Sequence, residues 1–346
     1  MKACVIHGKH DLHIEDRPVP APSATQVVVR FEAGGICGSD LHYYNHGKVG
    51  AFEVREPMIL GHEVAGKVVE VGEDVTHVKV GDRVAVNPAR TCGVCDYCRA
   101  GHANLCPEVL YYGSAARFPH VGGAFAELFL AEERQCVSLG TELSYRKAAC
   151  AEPLAVAIHA VRRGGEVLGK RVLITGAGPI GLLCLMVARL EGAKEIVITD
   201  QMDEPLAVAR TLGANHICNS AEKNNPLEEL GIKDPVFDIA IEAAGALPAL
   251  NLCMAWVRPR GRVVQLGLLP PKCNESLSLS CLASREIELV GTFRFHEEYE
   301  QAVHLLQSGR LDPSPILTAQ VPIQQAEFAF ELASDRRKAL KVTLVP

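Results

Sequence analysis

At 346 residues the chain exceeds what one ordinary hydrophobic core supports, and two domains are expected. Its composition, 48% hydrophobic and 22% charged, is that of a globular enzyme, and a net charge of -6 excludes the basic footprint that nucleic acid or an anionic membrane surface requires. The opening residues lack the apolar core of a secretory signal, and with thirteen cysteines they point to a reducing compartment, so the expected location is the cytoplasm.

The first 150 residues read as short β-rich segments between glycine, proline and charged turns. Strands are predicted at 27–31, 67–71 and 83–87, as in an antiparallel, barrel-like domain. Dispersed among them are Cys37, the Gly61-His62-Glu63 triplet and, further on, Glu152. One thiolate, one imidazole and one carboxylate neutralise a divalent zinc, and three protein ligands leave a fourth position for a substrate oxygen.

A second donor set is contiguous. Cys92, Cys95, Cys98 and Cys106 stand at C-x-x-C-x-x-C-x7-C spacing and can close a complete thiolate tetrahedron, which suits zinc or an iron–sulfur cluster. With no sign of secretion, metal binding is expected over disulfides, and zinc over a cluster. Such a site is closed to substrate and holds a loop. The remaining cysteines, Cys4, Cys136, Cys150, Cys184, Cys218, Cys253, Cys273 and Cys281, have no ligand spacing and are expected to be buried.

From residue 153 the rhythm changes to apolar strands alternating with helices. Strands are predicted at 171–175, 195–200, 237–242, 262–266 and 286–290, the pattern of a parallel doubly wound sheet. The uncharged run 172–188 is nearly long enough for a membrane span. It contains three glycines and Pro179, however, and divides naturally into strand, turn and helix. The turn is Gly176-Ala177-Gly178-Pro179-Ile180-Gly181. Following a strand and opening a helix, it can turn its amides toward a pyrophosphate. Asp200 ends the next strand and is placed to accept the adenosine ribose hydroxyls. Gln201, Met202, Asp203 and Glu204 follow, with no cation before Arg210. A ribose phosphate would meet repulsion there, which favours NAD over NADP. From about residue 292 the chain returns to mixed character; no internal repeat is evident.

Taken in order, Cys37-Gly38-Ser39-Asp40, Gly61-His62-Glu63 with Gly66, Gly81-Asp82-Arg83-Val84, the four-cysteine lobe and the glycine turn resemble the zinc-containing medium-chain dehydrogenases over essentially the whole chain. The resemblance implies an α/β chain. A GroES-like β-rich catalytic domain would comprise 1–152 and 292–346, with a structural zinc lobe at about 90–107, and a Rossmann domain would span 153–291. It also implies two zinc ions per chain, a nicotinamide cofactor and a homodimer or homotetramer. Within the family the chain resembles the polyol branch through 34–44, 118–122, 151–160 and 291–295. The segments around 111–122 and 291–295 lean toward a sugar acid as substrate.

That resemblance assigns roles. Cys37 and His62 are the expected ligands of a catalytic zinc. Glu63 and Glu152 share the carboxylate position, and either can be the direct ligand. Ser39 would carry the hydroxyl of a proton relay and His42 its solvent end. Tyr43, Phe118 and Arg294 match substrate-lining positions, with Arg117 and Lys48 as further cations. Two rival readings keep part of the pattern: a zinc-free or non-catalytic relative with the same fold, and a zinc or redox sensor built on the four cysteines. Neither has a use for Cys37, His62 and Glu152 together with a dinucleotide turn.

Overall fold

Three consecutive valines and Phe31 give the strand Gln26–Gly35 its apolar face, and this strand organises the first part of the molecule, seen in a computed structural model that describes residues 1–221, 227–269, 277 and 279–346. It pairs antiparallel with Glu63–Val71 along nearly its full length, with Leu128–Glu132 at its start and with Val342–Val345 at its end. Arg83–Val86 and Cys136–Ser138 extend the sheet on one side and Ala319–Pro322 on the other, giving seven strands. A hairpin of Lys2–Gly8 and Asp11–Asp16 forms a smaller sheet with Met58–Ile59. Phe31, Phe125, Leu60 and Phe330 anchor the core, the first two rings meeting edge to face at 6.2 Å. Truncating a phenylalanine buried this way costs about 3–5 kcal/mol.

Two compact units result, Met1–Glu152 with Tyr299–Pro346 and Pro153–Glu298. Residues 292–298, expected with the first unit, group with the second. The Thr292 amide donates to Gln265 O at 3.2 Å and His159 meets Glu298 at 3.0 Å, which ties both ends of this segment to the second unit.

The second unit is a six-stranded, fully parallel sheet. From edge to edge the strands are His216–Asn219, Glu195–Asp200, Arg171–Thr175, Phe237–Glu242, Val257–Gln265 and Glu288–Gly291. Numbered along the chain the order is 3-2-1-4-5-6, the doubly wound order whose direction reverses beside the first strand. Near-continuous apolar runs such as Val172-Leu173-Ile174 are what a strand covered on both faces requires. The uncharged run at 172–188 is thus strand, turn and helix, and among the described residues no helix is long and apolar enough to cross a membrane. His216–Asn219 was not anticipated from sequence.

Candidate metal and dinucleotide sites

Cys37 is the N-cap of the helix Gly38–His46. Its amide is held by Asp40 Oδ2 at 2.9 Å, and Gly47 closes the other end of the helix in the left-handed region. Strand register puts Gly35 opposite Glu63, so the exit of one strand and the start of the other deliver Cys37 beside His62 and Glu63. One donor atom from each of these three lies within 4.8 Å of the other two. His62 is 5% exposed, and its Nδ1 faces Asp40 Oδ1 at 3.6 Å. Burial opposes a charged imidazole here, yet Asp40, Cys37 and Glu152 outweigh it and hold the His62 pKa well above its ordinary value. A pocket this negative, with sulfur, nitrogen and oxygen donors converging, fits a divalent zinc ion.

The two carboxylates are held differently. Glu63 is fully buried, and Lys341 Nζ donates to its Oε1 at 2.5 Å and to Ile36 O at 3.1 Å; Oε2 also lies 2.5 Å from Nζ but accepts no hydrogen bond from any described residue. Burial pushes the Glu63 carboxyl up to about 7 against the pull of Lys341. Burial also opposes the charge on Lys341, but Glu63 and Cys37 raise its pKa above the usual range. A charged hydrogen bond this short, with the second oxygen equally near the ammonium, favours the ionised pair. Glu152 instead accepts the Tyr111 hydroxyl at 2.5 Å, and its charge acts on both His62 and Glu63.

In the cysteine lobe the sulfurs are 3.6 Å apart for Cys92 and Cys106 and 4.0 Å for Cys92 and Cys98. A zinc tetrahedron with bonds of about 2.3 Å has edges of about 3.8 Å. All four thiols are free. Backbone amides turn toward the sulfurs: Cys95 N donates to Cys92 Sγ at 3.4 Å, Cys98 N to Cys95 Sγ at 3.4 Å and Cys92 N to Cys106 Sγ at 3.5 Å. The amides of Val94 and Cys95 draw the Cys92 thiol down to about 6. Of the other cysteines Cys4, Cys150, Cys184, Cys218 and Cys253 are buried, but Cys136 and Cys281 are only half-buried, contrary to expectation; Cys273 lies outside the described residues.

In the second unit the strand Arg171–Thr175 runs into the glycine turn, and the helix Pro179–Leu190 starts with Gly178 as N-cap and proline in the first turn. Gly176 has φ +95°, and a Cβ there would lie 2.8 Å from Ala244 N, so only glycine fits. Asp200 accepts the Ala177 amide at 2.7 Å through one oxygen and the Met202 amide at 3.1 Å through the other. The turn and its acidic residue are therefore locked together. Behind them Glu242, which sequence reading missed, accepts the amides of Ala244 and Gly245 at 2.9 and 2.8 Å and folds that loop against Gly176.

Ser39 is half-buried at the second helical position after Cys37, and His42 lies one turn on, exposed, with its ring 5.7 Å from His46. Partial burial and then His46 lower the His42 pKa. Tyr43, expected to line the substrate, is 3% exposed in the core, and its hydroxyl accepts the Ala115 amide at 2.9 Å. The side chain is packed beneath the surface and fixed by that bond. Phe118 is 61% exposed, with the Arg55 guanidinium 4.7 Å above its ring. Arg294, in the second unit, has φ +54° and stacks its guanidinium on Phe293 at 4.7 Å. Arg117 donates to the carbonyls of Pro107 and Val109, and Lys48 is exposed.

Sequence reading also missed Asp40, Tyr111 and Lys341. Asp40 carries a signal, an acid three residues past a helix cap; Lys341 is 278 positions from Glu63 and carries none.

Comparison with known proteins agrees with this architecture. Residues 23–141 match the family described as the alcohol dehydrogenase GroES-like domain, and residues 179–308 match the zinc-binding dehydrogenase family. The chain is 38% identical to L-idonate 5-dehydrogenase (NAD(P)(+)) of Escherichia coli strain K12, covering 99% of this chain and 98% of that one, and the crystal structure of that enzyme superposes with a TM-score of 0.94 over 100% of this chain and 98% of the other. It is 39% identical to sorbitol dehydrogenase of Bacillus subtilis strain 168, covering 100% and 97% of the two chains. A putative zinc-binding dehydrogenase of Sinorhizobium meliloti 1021, solved bound to NADP, superposes at a TM-score of 0.90 with 27% identity, covering 100% and 99% of the two chains.

Proposed function

The chain belongs to the zinc-binding dehydrogenases with a GroES-like domain, oxidoreductases acting on CH–OH groups, and from that premise we propose that it interconverts a secondary alcohol of a sugar acid or polyol with its ketone, L-idonate and 5-keto-D-gluconate being the preferred pair. The observation that carries the chemistry is the convergence of Cys37, His62 and Glu63 donors within 4.8 Å, because three protein ligands leave a tetrahedral metal one position for substrate. Cys37 and His62 would hold a catalytic zinc with Glu63 or Glu152. Cys92, Cys95, Cys98 and Cys106 would hold a structural one.

When bound, zinc supplies the Lewis acidity that makes a substrate hydroxyl acidic near neutral pH, and the nicotinamide accepts hydride. The protein's own groups manage the rest. Ser39 accepts the hydroxyl proton and passes it to His42, whose lowered pKa keeps the imidazole neutral and ready to receive it. Gly176, Gly178, Pro179, Ile180 and Gly181 seat the pyrophosphate, and Asp200 orients the ribose with an acid at Asp203 behind it, so NAD is preferred. The family resemblance assigns Arg294 to a substrate carboxylate and Phe118 to the carbon chain.

L-idonate is favoured by the near full-length likeness to the E. coli enzyme and by the cation at Arg294. A general polyol dehydrogenase is the second reading, favoured by the equal likeness to the B. subtilis sorbitol enzyme. Initial rates with NAD and with NADP against L-idonate, D-sorbitol, xylitol and L-threonine, run in parallel, separate them. The proposal expects the highest kcat/KM for L-idonate with NAD. Higher efficiency on sorbitol would transfer the chain to the polyol reading, and absence of turnover on all four would remove both.

A further inference from the structure

Glu242 is wholly buried at the end of the strand Phe237–Glu242. One of its oxygens accepts the Ala244 and Gly245 amides at 2.9 and 2.8 Å, and the other accepts Gln265 Nε2 at 2.6 Å. Burial pushes the carboxyl up, but every group that meets its oxygens donates and none accepts, which is the arrangement an ionised carboxylate needs. A carboxylate taken out of water is ordinarily matched by a cation. None of the hydrogen-bond partners of Glu242 among the described residues is one. The N-terminus of the helix Leu247–Trp256, equivalent to about half a positive charge, offsets only part of the negative charge. Gln265 Oε1 is buried without a hydrogen-bond partner among the described residues, so a second acceptor stands beside the carboxylate.

The strand order assigns this charge to one half of a dinucleotide. In a doubly wound sheet of order 3-2-1-4-5-6 each half of the sheet takes one mononucleotide, outside the carboxyl ends of its strands. The glycine turn after the first strand takes the pyrophosphate, and Asp200, which ends the second, takes the adenosine ribose. The fourth and fifth strands, ending at Glu242 and Gln265, are left for the nicotinamide half. Oxidised and reduced cofactor differ in charge there, because the ring is cationic in NAD+ and neutral in NADH. Resting on the dinucleotide reading of this unit, we propose that Glu242 is a specificity-determining residue of the cofactor site: its carboxylate, matched by no cation, favours the cationic ring, so the chain holds NAD+ more tightly than shape alone would allow and discriminates against NADH.

The test is calorimetric titration of the purified enzyme with NAD+, NADH and ADP-ribose, which lacks the ring, at one ionic strength. Glu242→Gln removes the charge and keeps the shape. Its Kd for NAD+ should rise by about tenfold, while those for NADH and ADP-ribose stay within about twofold of the parent. Gln265→Lys leaves Glu242 in place and neutralises it with an ammonium where the glutamine amide now donates, and the same three results are expected of it. A loss shared equally by all three ligands would mean that Glu242 only braces the loop at Ala244 and Gly245, and overturns the proposal. Unchanged affinity for NAD+ in either variant overturns it too. Should Glu242→Gln fail to fold, Gln265→Lys decides alone. A wild-type chain that binds none of the three ligands overturns the dinucleotide reading and this inference together.

Discussion

His62 Nδ1 and Asp40 Oδ1 face each other at 3.6 Å, both buried, and among the described residues neither atom has a hydrogen-bond partner. Asp40 also holds the Cys37 amide at 2.9 Å, so one carboxylate orients two expected metal ligands. Acids in this outer position fix the tautomer and direction of a ligating imidazole. Asp40→Asn should keep the fold and lower metal affinity or kcat by roughly tenfold to a hundredfold. Equilibrium zinc titration against a competing chelator checks it, and wild-type affinity with wild-type kcat would contradict it.

Cys95→Ser should lose one zinc per chain and reduce stability more than chemistry, because a closed site contributes folding energy. Metal counting and thermal melting of the same preparation check it. An equally stable enzyme with its full metal content would show that the lobe does not need Cys95.

Asp200→Ala should weaken NAD and relax discrimination against NADP, since it removes a ribose acceptor and a repelling charge. It also frees the Ala177 amide, so part of the loss should fall on both cofactors. Fluorescence titration with NADH and NADPH separates the two components. Preference of the wild type for NADP would contradict the role given to Asp200.

Glu298 supplies a pH dependence. Burial opposes its charge, but the His159 ring and the His296 amide outweigh burial and hold the carboxyl down to about 2. A carboxyl depressed in the folded chain stabilises it above the unfolded value, and that contribution is lost as pH falls toward the folded value. Glu298→Gln should therefore cost about 2–3 kcal/mol at pH 7, with the deficit shrinking between about pH 4.5 and pH 2. Denaturant melts at pH 7 and in that window test it; a deficit independent of pH would mean that packing, and not charge, holds this contact.

Much of this arrangement is visible in the residue order because it is local. The run Arg171–Thr175, the glycine turn and the cysteine spacing each state their structure within a few positions. The strand His216–Asn219 was missed because its four residues are half polar and resemble a loop until a neighbouring strand supplies a partner. Lys341, Tyr111 and Glu242 were missed for a related reason: each acts on groups brought to it by the fold, and a lone lysine, tyrosine or glutamate is ordinary in composition. The burial of Tyr43 was not legible either, because the periodicity of its short helix is too weak to say which side chains turn inward.

The central claim is that a metal held by Cys37 and His62 does the chemistry while the glycine turn and Asp200 hold the cofactor. NAD-linked turnover and NADH affinity of Cys37→Ser, measured on one preparation, test it most directly. The account predicts that kcat falls by about a thousandfold or more while the NADH dissociation constant stays within about threefold of the parent. Turnover near the wild-type level in a variant verified to lack that metal would contradict it.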